Sequence, residues 1–96
     1  MKPSTALAAN REIIRRAALA HGLRNPRVFG SALRGDDTEE SDLDLLVDPS
    51  DDTSLLDVAR LQVELEEHLG VAVDVLTPAA LPEAFRVQIL REARSV

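Results

Sequence analysis

Aspartates punctuate the strand-forming runs of this 96-residue chain. Asp42 and Asp44 flank Leu43 just ahead of Leu45-Leu46-Val47, and Asp74 interrupts Val71-Ala72-Val73-Asp74-Val75-Leu76. In a strand, residues two apart share a face, about 6.6 Å apart. Leu43, Leu45 and Val47 then line one face of their strand, and Asp42 and Asp44 the other. In the second run Val71, Val73 and Val75 share a face, and Asp74 stands opposite with Ala72 and Leu76. Aspartate among valines is a poor strand former. If the two strands are neighbours, three carboxylates converge and need a counter-charge. Hard divalent cations suit them, and Mg2+ takes one or two carboxylates plus phosphate oxygens and water. A lone Asp-x-Asp is more often a solvated strand face, and a lone Asp74 more often an edge position. The upstream turn changes that weighting.

That turn is Gly30-Ser31. Glycine allows a tight turn and close backbone approach to a ligand. If Ser31 opens a helical turn, its free N–H groups and hydroxyl can hold a phosphate. Arg34 and Gly35 lie just beyond, and no Gly-Lys-Ser/Thr follows, which excludes a P-loop. Gly-Ser by itself is a common turn. Gly30-Ser31, ten residues, then Asp42-x-Asp44 is a stronger signal, filled by chance about once in 10³ chains of this length.

The rest of the chain frames these strands. Ser4 or Thr5 is placed to cap a first helix reaching about His21, with Leu7, Ile14, Ala17 and Ala18 on its apolar face, Ile13 beside it and Gly22 to end it. Arg27-Val28-Phe29 predicts a short strand. Residues 32–41 read as a polar loop with room for one helical turn. Leu43 to Val47 form the second strand, closed by Pro49. Asp52, Thr53 or Ser54 caps a helix to Leu69, with Ser54 and Asp57 spaced as a capping box. Leu55, Val58, Leu65 and Leu69 line one side of it, and Leu56, Ala59 and Val63 widen that side. Gly70 ends it, Val71 to Leu76 form the third strand, and Thr77-Pro78 turns the chain. Leu81, Phe85 and Ile89 predict a last helix reaching about Arg94, with Phe85 in the core. The order predicts a small α/β domain over residues 1–96, a three-stranded mixed sheet packed with helices.

Composition narrows the function classes. The net charge is −6, with two Phe and no Trp or Tyr, which argues against a nucleic-acid binder working by a basic surface and base stacking. A nucleotide ligand stays open, because metal ions bridge acidic side chains to phosphates. Lys2 is the only lysine, so a side-chain grip on phosphate must come from arginine. There is no cysteine, hence no disulfide and no thiolate metal site. The first residues lack a signal-peptide core and no run reaches membrane-spanning length, so a cytoplasmic location is the expectation. His21 and His68 suit helix C-termini. Asp36, Asp37, Glu39 and Glu40 read as solvated loop charges, and Asp48, Asp51 and Asp52 as turn and cap residues. Arg86, Arg91 and Arg94 read as solvated, with contact to an acidic partner as the lesser reading.

The stretch FGSALRG…SDLDLLV, followed by VDVLTPAALPEAFRVQILREA, resembles the minimal nucleotidyltransferases, the MNT antitoxin family of HEPN/MNT toxin–antitoxin systems within the DNA polymerase β-like nucleotidyltransferase superfamily. The resemblance covers nearly the whole chain from Val28 onward and implies a small polymerase β-like palm. It implies transfer of AMP from ATP to a tyrosine of a HEPN-domain toxin, which neutralises the toxin. Gly30 and Ser31 match the family's phosphate-holding turn, and Arg34 a basic position near it. Asp42 and Asp44 match the metal-binding pair, and Asp74 the third carboxylate, with two Mg2+ ions implied. The chain has no tyrosine, so a tyrosine acceptor must belong to a partner. Two other readings stand beside this one. One is a weakly active or inactive module that masks the toxin by binding, in a homo- or hetero-oligomer. The other is a small-molecule nucleotidyltransferase, although the extra helical domain that aminoglycoside-modifying relatives use has no counterpart in these residues.

Overall fold

A computed structural model describes residues 1–96. The elements are α1 (Pro3–Ala9), α2 (Arg11–Ala20), β1 (Arg24–Phe29), α3 (Ser31–Arg34), β2 (Leu43–Asp48), α4 (Leu55–Leu69), β3 (Val73–Leu76), α5 (Glu83–Glu92) and β4 (Arg94–Ser95). The sheet order is β3-β2-β1-β4. β1 runs antiparallel to β2 and β4, whereas β2 and β3, joined through α4, are parallel. The sheet is therefore mixed, as expected, with four strands instead of three. The added strand arises because α5 ends at Glu92, before the expected Arg94, and Arg94-Ser95 pairs with Val28 and Arg27. Two residues carry too little pattern to mark a strand.

The apolar alternation sorts the sheet's faces as the sequence requires. Val28, Leu43, Leu45, Val47, Val73 and Val75 pack with Ile14, Ala17 and Ala18 of α2 and Leu61, Leu65 and Leu69 of α4 in one core. The other face carries a smaller cluster of Phe29, Leu46 and Leu81, against which Leu76, Ile89 and Ala93 pack. Asp44 and Asp74 stand two residues from Leu46 and Leu76, so the carboxylates share this second face with the residues that seat α5.

Several expectations need correction. The first helix is two helices, broken at Asn10, whose amide donates to the Ala6 carbonyl at 2.8 Å and whose backbone leaves the helical region (φ −133°, ψ 24°). Asparagine side chains compete with the helix for backbone partners in this way. Neither Ser4 nor Thr5 is the cap: Lys2 is, with Pro3 in the first turn, where a missing N–H costs nothing. β1 starts at Arg24, because a register shift between Arg24 and Arg27 and a positive φ of 53° at Asn25 accommodate Pro26. β3 starts at Val73, not Val71. In α4 the capping box of Ser54 and Asp57 forms as predicted, but the buried seam is Leu61, Leu65 and Leu69, and Leu55, Leu56 and Val63 are exposed. Phe85 is 57% exposed rather than core, since α5 touches the sheet only through its Ile89 side and the following Ala93.

β3 lies at the edge of the sheet, and α4 covers its free side. The Val73 N–H donates to Glu66 Oε2 and the Val75 N–H to Gln62 Oε1, each at 3.0 Å.

Candidate active site

The site forms where β1 ends. Gly30 adopts φ 74°, ψ −152°, a region open in practice only to glycine. Its carbonyl accepts the Leu33 and Arg34 N–H groups at 3.1 Å, which opens the single turn α3 at Ser31. The amides of Ser31 and Ala32 are those that a first helical turn leaves without an intrahelical partner. A Cβ added at Gly30 would stand 2.3 Å from Asp44 Oδ2. The missing side chain is thus the space that the Asp44 carboxylate occupies, and the two halves of the motif touch.

Asp44 pairs in register with Phe29 on one side and with Asp74 on the other. Asp42 lies ahead of β2 rather than within it and is exposed. Burial pushes the Asp44 carboxyl up to about 6, with the charges of Asp74 and Asp42 adding to the rise and Arg34 opposing it. Asp74, Asp42 and Arg34 all stand close enough to Asp44 for their charges to be felt there. Its guanidinium Nε also lies 3.6 Å from Asp36 Oδ2, in solvent. No three acidic or histidine side chains stand close enough together to form a ready metal cage. The expected three-carboxylate ligand set is therefore not preassembled. The donor chemistry nonetheless fits a hard cation: oxygen ligands only, one of them half-buried beside two like charges.

One wall of the site was not legible in the sequence. A cavity of about 310 Å³ is lined by Phe29, Gly30 and Arg34 on the turn side and by Phe85, Gln88, Ile89 and Glu92 of α5 on the other. The helical spacing of Phe85 and Ile89 was the only signal, and it predicted burial. A larger groove of about 470 Å³ lies between His21 and the outer side of α4, across the sheet from the carboxylates. There His21 Nε2 lies 3.4 Å from Glu64 Oε1, and His68 sits in the last turn of α4. Arg86 is not free for a partner: it donates to the Pro78 and Leu81 carbonyls at 3.0 Å and ties α5 to the turn before it. Arg94 is likewise spent on carbonyls at the end of α5, including that of Glu92 at 3.0 Å. Asp37, expected in solvent, is buried.

The nucleotidyltransferase domain family model matches residues 12–96. The chain is 45% identical over 78 residues to the Methanocaldococcus jannaschii protein named "Putative protein adenylyltransferase MJ0435", covering 81% of this chain and 84% of that one. It is 41% identical over 71 residues to "Protein adenylyltransferase MntA" of Thermococcus cleftensis, covering 74% and 72% respectively. Among solved structures, one described as "Structure of putative minimal nucleotidyltransferase" superposes with a TM-score of 0.86 at 45% identity, over 100% of this chain and 97% of that one. A structure described as "Crystal structure of the toxin-antitoxin with AMP-PNP" superposes with a TM-score of 0.75 over 90% of this chain and 71% of that one. At 20% identity it speaks to the fold alone.

Proposed function

The chain belongs to the nucleotidyltransferase domain family, and on that premise we propose that it is an antitoxin-type protein adenylyltransferase, moving AMP from ATP to a tyrosine of a HEPN-domain toxin. The observation that carries the reading is the contact between the Gly30 turn and the Asp44 carboxylate, with Asp74 in register beside it. A phosphate-binding turn and a carboxylate pair have no structural reason to be packed together at this cost in repulsion. Phosphoryl transfer needs both, because it depends on positioning and charge neutralisation more than on covalent chemistry.

In this reading the Ser31 hydroxyl and the amides that open α3 hold the β- and γ-phosphates, and Arg34 adds positive charge beside them. Asp42 and Asp44 would hold two Mg2+ ions, and Asp74 would help to hold one of them. Such ions would supply charge neutralisation for the triphosphate and polarisation of its α-phosphorus. The tyrosine oxygen forms a bond to that phosphorus as the α–β bridging bond breaks, and pyrophosphate departs. In this reading Asp74 would take the proton that the acceptor hydroxyl gives up. The net charge of −6 favours encounter with a basic partner.

The test is incubation of the chain with the product of the neighbouring gene, ATP and Mg2+, followed by intact mass and peptide mapping of both proteins. A mass increase of one AMP residue or a multiple, at a partner tyrosine, supports the proposal. A stable complex with no added mass favours masking by binding. Efficient transfer to a free small molecule without the partner overturns the proposal.

A further inference from the structure

Asp37 is 5% exposed, and no other charged side chain is so buried. Its Oδ2 accepts the Ser4 backbone N–H at 2.8 Å, at the start of α1, where first-turn amides lack intrahelical partners. That bond holds the Asp37 carboxyl below its ordinary range. The helix it grips is itself seated, with Pro3, Ala6 and Leu7 buried. Beyond Asp37 the chain closes a small turn: the Thr38 N–H donates to Ser41 Oγ at 2.9 Å, and the Ser41 N–H to the Thr38 carbonyl at 3.1 Å. Asp42 follows directly, and next to it the Leu43 N–H is pinned to the Ala72 carbonyl at 2.8 Å. A closed four-residue turn therefore separates the buried anchor at Asp37 from the exposed carboxylate at Asp42. A second link from the N-terminus to this loop, from the Met1 amine to Glu39 at 3.6 Å, is exposed and worth little. α1 precedes the residues that the family model matches.

We propose that Asp37 is a positioning residue: by latching the loop to α1 it fixes where Asp42 stands relative to Asp44 and the Gly30 turn. This rests on the transfer reaction proposed above. The experiment compares wild type, Asp37→Ala, Asp37→Asn and Leu69→Ala, the last emptying a core position on α4 away from the site. Each is measured for AMP transfer to the partner, for Mn2+ binding to the nucleotide-free chain by electron paramagnetic resonance, and for Tm. Asp37→Ala is expected to lower kcat about tenfold, as a small misplacement of a reacting group does. It is also expected to weaken Mn2+ binding severalfold, while KM for ATP changes less than about twofold. Asp37→Asn keeps an oxygen for the Ser4 N–H and should stay near wild type in both. Leu69→Ala should lower Tm and leave Mn2+ binding unmoved. Unchanged Mn2+ binding in Asp37→Ala, or an equal loss in Leu69→Ala, overturns the proposal. A wild type that binds Mn2+ but transfers nothing refutes the transfer reaction, and the Mn2+ comparison still decides the role of Asp37.

Discussion

Replacing Asp44 with asparagine should make the metal-free protein more stable while removing its activity. The Asp44 carboxyl is half-buried, and its pKa rises from 3.8 to about 6 through burial and the charges of Asp74 and Asp42. A rise of that size disfavours the ionised form by about 3 kcal/mol, and screening by the solvent that reaches the group reduces this to about 1–2 kcal/mol. The sign follows from linkage. The folded state holds the proton more tightly than the unfolded state, so stability is lost as pH rises from 3.8 towards 6 and is level above that. Asparagine carries no charge and escapes the loss. In EDTA at pH 7.5, Asp44→Asn is expected to melt about 5–10 °C above wild type, on the usual scaling for a domain this small. The gap should shrink to roughly half by pH 4.5 and close towards pH 3. Circular dichroism melts of both proteins across that range measure it directly. An asparagine variant no more stable than wild type at pH 7.5, or a gap that does not change with pH, would refute the electrostatic account of the site.

Gly30→Ala places a methyl group in the space of the Asp44 carboxylate and forces alanine into a glycine-only conformation. It should cost about 1–3 kcal/mol by denaturant titration and lower transfer by at least about a hundredfold. Wild type should gain Tm on addition of Mg2+ and ATP, and Asp42→Asn should not, by the mass action of a ligand that binds only the folded state. Leu65→Ala, at a fully buried position on α4, should cost about 2–5 kcal/mol. Phe85→Ala, despite losing a larger side chain, should change stability by no more than about 0.5 kcal/mol. Ser54→Ala removes half of the capping box on α4 and should cost about 1 kcal/mol, read by thermal melting.

The sequence made the three longer strands and the paired aspartates legible because period-two alternation and turn residues are local signals. Leu43, Leu45 and Val47 had to face one way, and Asp44 then had to face the other. The short helical turn at Ser31 was also within reach, since Gly30 is a natural opener. What escaped was decided by contacts between distant segments. Asp37 looked like its charged neighbours, and only the position of α1 buries it. Phe85 had the spacing of a core residue, but α5 meets the sheet through Ile89 and leaves Phe85 in the open. Leu61 was missed because the apolar positions of α4 form more than one plausible stripe, and packing against the sheet chooses among them. Asn10 breaks a pattern that periodicity alone would carry straight through.

The side-chain bonds from α4 to β3 bear on how this protein meets other molecules. An uncovered edge strand is a template on which a second chain can add by main-chain pairing, the first step towards fibrils and exchanged dimers. Here Glu66 and Gln62 already occupy the outward N–H groups of Val73 and Val75. The strand that carries Asp74 is therefore closed to sheet extension, and a partner cannot reach the carboxylates by adding a strand beside it. Loss of those two side chains would leave the monomer's core untouched and yet expose a ladder of donors. A Glu66→Ala, Gln62→Ala double variant should accordingly differ from wild type less in its unfolding free energy than in the protein concentration at which it begins to aggregate.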